Sequence, residues 1–152
     1  MKIWVVGIGN EYREDDAAGV ILARRIHKFL TSLPGVESSL CLEHQLLPEL
    51  VDELDVDLAI FCDADTALHE GGFSLRTIVP NPRLEGFNIH SMGAEWLLAL
   101  AEQTATPPQK TLLLSVSGES FDFSEAPTLV CQRRVEKAEE AFRNYWENRV
   151  GS

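Results

Sequence analysis

The stretch KIWVVGIGNEYREDDAAG, residues 2–19, decides the fold. Ile3, Trp4, Val5 and Val6 form a short apolar run of β-branched and aromatic residues, the pattern of a buried strand. Gly7-Ile8-Gly9-Asn10 then lets the backbone turn where a side chain would clash. Asp15 and Asp16 stand directly before Ala17, Ala18, Val20, Ile21 and Leu22, where a helical pattern begins. Carboxylates at a helix start are favoured by the helix dipole and can cap free N–H groups. Capping accounts for one acid. It does not call for two in a row, with Arg13 beside them.

Working outward, residues 16–30 read as an amphipathic helix, ended by Leu33-Pro34-Gly35. In that helix His27 falls on the wet side. Residues 36–43 alternate loosely and predict a second strand. Leu46, Leu47, Leu50, Val51 and Leu54 then recur at helical spacing, with Pro48 tolerated in the first turn. Residues 57–62, DLAIFC, form the clearest buried strand after the first and run into Asp63-Ala64-Asp65, with Asp65 read as turn structure. Residues 73–79 predict an edge strand. The loop before it is too short for a crossover helix of about ten residues, so this strand should run antiparallel to the third. A helix follows with Met92, Leu97, Leu100 and Ala101 as its apolar positions, then a fifth, central strand over 111–116 and a last amphipathic helix from near Thr128. The order β-α-β-α-β-β-α-β-α predicts an α/β fold. It is a three-layer α/β/α sandwich around a mixed, mostly parallel five-stranded sheet, in one domain over 1–152.

Composition bounds what such a domain can do. With 152 residues and 45% apolar, the chain is long enough for one buried core. No run approaches the ~20 apolar residues of a membrane span, and the first strand starts right after Met1, so a cytoplasmic protein is expected. Cys41, Cys62 and Cys131 are odd in number and lack metal-ligand spacing, which fits core thiols in a reducing compartment. The formal net charge of −11 opposes nucleic-acid binding and suits a basic peptide or protein partner.

The chemistry narrows by elimination. Gly7-Ile8-Gly9 lies between strand and helix as a dinucleotide fingerprint would, but Tyr12 holds the third glycine position and two aspartates stand where a pyrophosphate would sit. There is no P-loop lysine and no Gly-x-Ser-x-Gly elbow. Cys62, at the end of a buried strand beside Asp63, should have a raised thiol pKa and make a poor nucleophile. Asp16, Asp63 and His90 each fall at a junction expected on one edge of the sheet. Two carboxylates and an imidazole can bind a first-row divalent ion and leave positions open for substrate or water. Their spacing is not diagnostic, and helix caps and turns would explain the same three residues. His44 and Gln45 lie at a strand-to-helix junction, where parallel sheets build ligand crevices; ordinary loop polarity explains them equally. Glu119 also follows a strand, in Ser117-Gly118-Glu119-Ser120.

Gly7-Ile8-Gly9-Asn10, Asp15-Asp16 and Gly19, followed in order by Asp63, His90 and Val116-Ser117-Gly118-Glu119-Ser120, resemble the nickel–iron hydrogenase maturation endopeptidases over essentially the whole chain. The resemblance implies an α/β/α sandwich that removes a short C-terminal extension from the precursor of a hydrogenase large subunit after nickel has entered it. It implies that Asp16, Asp63 and His90 are the catalytic and metal-contacting residues. The metal would be the nickel of the substrate precursor, acting as a recognition element, with no permanent organic cofactor. Asn10, His44, Gln45 and Glu119 are the accompanying candidates for substrate binding. The expected partner is the large-subunit precursor, with no nucleic acid and no membrane, and a monomer would best admit so large a substrate. Two departures stand out. The first metal position is often glutamate in the family. With the shorter Asp16 here, either the ligand sits closer or Asp15 must help. Residues 43–50 replace a glycine-rich stretch of some members and could select the hydrogenase processed; there the chain resembles members serving bidirectional, NAD-linked hydrogenases. A peptidyl-tRNA hydrolase-like enzyme, which shares a Gly-x-Gly-Asn start, and a non-enzymatic metal- or precursor-binding chaperone are the alternatives.

Overall fold

The computed structural model describes residues 1–81, 93–121 and 126–150. Strands β1 (Lys2–Ile8), β2 (Glu37–Glu43), β3 (Leu58–Asp65), β4 (Phe73–Thr77) and β5 (Lys110–Ser117) form one sheet in the order β2-β1-β3-β5-β4. All neighbours are parallel except β4, which runs antiparallel to β5. Helices α1 (Ala18–Thr31), α2 (Ala94–Thr104) and α3 (Leu129–Val150) cover the sheet. Among the described residues no helix is long and apolar enough to cross a membrane.

The period-2 alternation of the strands separates two cores. Ile3 and Val5 face Leu22 and Ile26 of α1 and Val135 and Phe142 of α3. Trp4 and Val6 face the other way, against Leu54 and against Leu97 and Ala101 of α2. Residues 58–62 of β3 are buried on both sides, which is why they read as an unbroken apolar run. The expected three-layer sandwich is therefore present.

Three local expectations need correction. The second helix is a 3₁₀ segment, Pro48–Leu54. Pro48 forces Leu47 into an extended backbone (φ −116°, ψ 150°), so only seven residues remain before the chain leaves the helical region at Asp55. Strand β3 also runs past Cys62, because the β3–β5 ladder continues through Asp63↔Ser115 to Asp65↔Ser117. Asp65 thus ends a strand as well as capping a turn, its carboxylate accepting from Ala67 N at 2.9 Å. His27 is half-buried rather than fully wet, with Nδ1 2.8 Å from Ser38 Oγ. The edge strand β4 is antiparallel as expected, but it neighbours β5, which lies between it and β3.

The parallel ladders bring the C-terminal ends of β1, β3 and β5 to one edge of the sheet. The first turn of α1 is seated on that edge. A Cβ on Gly19 would lie 2.5 Å from Ile8 O, 2.6 Å from Cys62 O and 2.9 Å from Asp63 Cα, all of it backbone that cannot step aside. Gly19→Ala should therefore lower stability by about 1–3 kcal/mol, read as a lower urea midpoint with an unchanged slope.

Candidate active site

Asp16 is placed by the turn that precedes α1. Gly9 has φ +148°, and a Cβ there would collide with the Asp16 carbonyl, so the turn can close this tightly only on glycine. Asn10 donates its backbone N–H to Asp16 Oδ2 at 2.8 Å, while its own Oδ1 accepts from Tyr12 N at 2.9 Å. Asn10 therefore acts on Asp16, through the backbone, and its side-chain oxygen is engaged in the turn.

Asp63 projects from β3 on the same sheet face as Ala59 and Phe61, the face covered by α2. Burial is the main reason its carboxyl is pushed up to about 7; the Ala64 N–H bond opposes this, and the charges of Asp16 and Asp65 add to it. Asp16 and Asp63 share a cavity of about 410 Å³ with Ile8, Gly9, His44, Gln45, Leu46, Ala64, Arg76, Gly93, Ala94, Glu95 and Leu113. The structure thus brings together Asp16, Asp63, His44 and Gln45 of the predicted set. His90 lies outside the described residues. Among the described residues no three metal-capable side chains converge; Asp16 and Asp63 are the members of the expected triad that lie within the described residues.

Glu119 is placed elsewhere. Its Oε1 is 2.8 Å from Arg134 Nη2, and its backbone N–H donates to Asp15 Oδ2 at 2.7 Å. That second bond belongs to a cluster the sequence did not suggest. Asp15 is fully buried and also accepts from Ser120 N (3.1 Å), Thr128 N (2.6 Å) and Thr128 Oγ1 (2.9 Å). Burial alone would raise its pKa, but these N–H and O–H donors outweigh it and hold the carboxyl below its ordinary value. Asp15 therefore does not assist Asp16 toward a metal. Its two oxygens are spent tying the first turn to the start of α3, and so the paired acids divide into one structural and one cavity-lining residue.

Arg76 of β4 and Glu95 of α2 were also missed. Their ion pair, Nη2 to Oε1 at 3.2 Å, forms part of the cavity wall. Only the acid in the first turn of α2 could have hinted at either. Cys62 and Cys131 are buried as expected of core thiols, whereas Cys41 is half-buried. All three are free. Cys62 is fully buried, and burial together with the neighbouring Asp63 charge pushes its thiol far up; Cys131 is pushed to about 12, chiefly by burial.

No protein-family model matches the chain, and no curated protein matches it in sequence. Solved structures do match it over nearly full length. The hydrogenase maturating endopeptidase HybD from E. coli is 24% identical with a TM-score of 0.73, covering 97% of this chain and 93% of its own. An endopeptidase from Escherichia coli is 26% identical with a TM-score of 0.68, covering 93% and 90%. The [NiFe] hydrogenase maturation protease HycI from Thermococcus kodakarensis is 25% identical with a TM-score of 0.64, covering 93% and 89%. The resemblance to the hydrogenase maturation endopeptidases is thereby borne out, and the chain is a structural relative of those enzymes.

Proposed function

We propose that this protein is a hydrogenase maturation endopeptidase that removes the C-terminal extension of a nickel-loaded [NiFe] hydrogenase large-subunit precursor. The observation that carries this reading is the placement of Asp16 and Asp63 in one cavity at the C-terminal edge of the sheet, in a fold matched end to end by maturation proteases. Asp16 and Asp63, with His90, would contact the nickel of the precursor and set the scissile bond beside them. A metal so held can polarise a carbonyl or activate a water. A carboxylate not engaged by metal can serve as general base. Without a metal beside it, Asp63, with its carboxyl pushed up to about 7, would be matched to that role at neutral pH. Asn10 would keep the Asp16 carboxylate oriented, and His44 and Gln45 would meet the precursor at the cavity rim.

The test is mass spectrometry of a matched precursor after incubation with the protein, with and without nickel loading. Loss of one discrete C-terminal peptide from the nickel-loaded form alone is the expected result. Release of the precursor uncut would favour a binding chaperone. Thiol alkylation should leave the cleavage rate unchanged, because burial keeps Cys62 and Cys131 protonated and out of reach of reagent. Inactivation by iodoacetamide would count against a mechanism built on carboxylates.

A further inference from the structure

The active-site cavity has two charged ends. Ile8 and Asp63 are paired across β1 and β3, and Arg76 is paired with Leu113 of β5, which in turn is paired with Phe61. Phe61 precedes Asp63 by two residues on the same face, so Arg76 stands two strands over from Asp63 and one row lower. At about 4.8 Å between strands and about 3.3 Å per residue, the two Cα positions are separated by about 12 Å. Ile8, Leu46, Ala94 and Leu113 supply apolar lining to the cavity that holds both.

Arg76 is also only partly used. Among the described residues it meets Glu95 through one Nη2–Oε1 contact at 3.2 Å, and its side chain is 55% exposed against 23% for Glu95. A guanidinium carries five N–H donors in a planar fork. One monodentate contact leaves donors available for a second acceptor. Asp16, Asp63 and Glu95 make the remaining charged side chains of the lining anionic, so among those side chains a carboxylate finds its charge partner at Arg76.

We propose that Arg76, held in place by Glu95, is a specificity residue that binds a carboxylate of the precursor segment lying in the cavity. This rests on the endopeptidase reading above. The 12 Å between Asp63 and Arg76 corresponds to three or four residues of extended peptide, which puts the recognised acid within about five residues of the cleaved bond once side-chain reach is included.

The experiment uses the full-length protein and nickel-loaded precursor, together with precursors in which each Asp or Glu within five residues of the cleaved bond is changed singly to its amide. Arg76→Gln should raise KM about tenfold with kcat within about twofold. Because the ion pair is exposed, its thermal midpoint should stay within a few degrees of wild type. One amide precursor should reproduce that KM with the wild-type enzyme, and should show no further loss with Arg76→Gln. A precursor carrying lysine at that position should be cut better by Arg76→Glu than by wild type. Wild-type KM in Arg76→Gln, or losses that add with every precursor substitution, would overturn the assignment of Arg76 while leaving the protease reading in place. If the wild-type protein leaves the unaltered precursor intact, the protease reading falls first and the assignment with it.

Discussion

Asp63→Asn is expected to stop processing and, at the same time, to make the protein more stable at neutral pH. Asparagine keeps the shape but cannot supply an anionic ligand or accept a proton as a base, so cleavage should fall by roughly 100-fold or more. The stability gain follows from the raised carboxyl. In the unfolded chain Asp63 titrates near 3.8, and in the folded cavity at about 7. Between those values the native state holds a proton that the unfolded chain has released. Stability from this group is therefore fully present below the unfolded pKa and is lost as pH rises toward and through 7. The variant has no such loss, so at pH 8 it should exceed wild type by up to about 4 kcal/mol, with the difference shrinking as pH falls toward 4. Urea unfolding at the two pH values, beside a cleavage assay, reads both effects. Lower stability of the variant at pH 8 would mean that the folded site stabilises the ionised form.

Asp15→Ala should do the reverse: a large loss of stability from a residue outside the lining of the active-site cavity. Its carboxylate takes bonds from Glu119, Ser120 and both donors of Thr128. Alanine strands those donors in a buried place and frees the start of α3, at a cost of about 3–5 kcal/mol. The pH dependence also has the opposite sign to that of Asp63. A folded pKa held below the unfolded value contributes stability above pH 3.8 that disappears as pH falls through the folded pKa. The gap between wild type and Asp15→Ala should thus narrow in strong acid. Equal urea midpoints for the two proteins at pH 7 would show that the loop is held by other means.

The architecture was legible because the strands carry their own signal. Residues 3–6 and 58–62 are apolar on both faces, and only a central position in a covered sheet uses such runs. Asp16 and Asp63 could be placed on one edge because parallel strands put all their C-terminal ends together. What could not be read are relations that exist only after folding. The position of β4 beside β5 follows from packing, and no local pattern announces it; the Arg76–Glu95 pair depends on it and was missed for that reason. Asp15 looked like a helix cap or a second ligand because its partners stand 104 to 113 residues away. The 3₁₀ segment was lost to a period that seven residues cannot decide, since apolar positions at i and i+3 or i+4 fit both helix types.

The bond between Asp15 and Thr128 also carries a timetable. It joins the turn before α1 to the residue that precedes α3 across 113 positions, a long-range closure of the kind that slows folding. During synthesis the Asp16 turn cannot acquire its final anchor until Thr128 has left the ribosome. A nascent chain, or a fragment ending before that residue, would hold both cavity aspartates in its sequence and still lack the fixed geometry to use them. Competence then arrives late and all at once, with the emergence of the final helix.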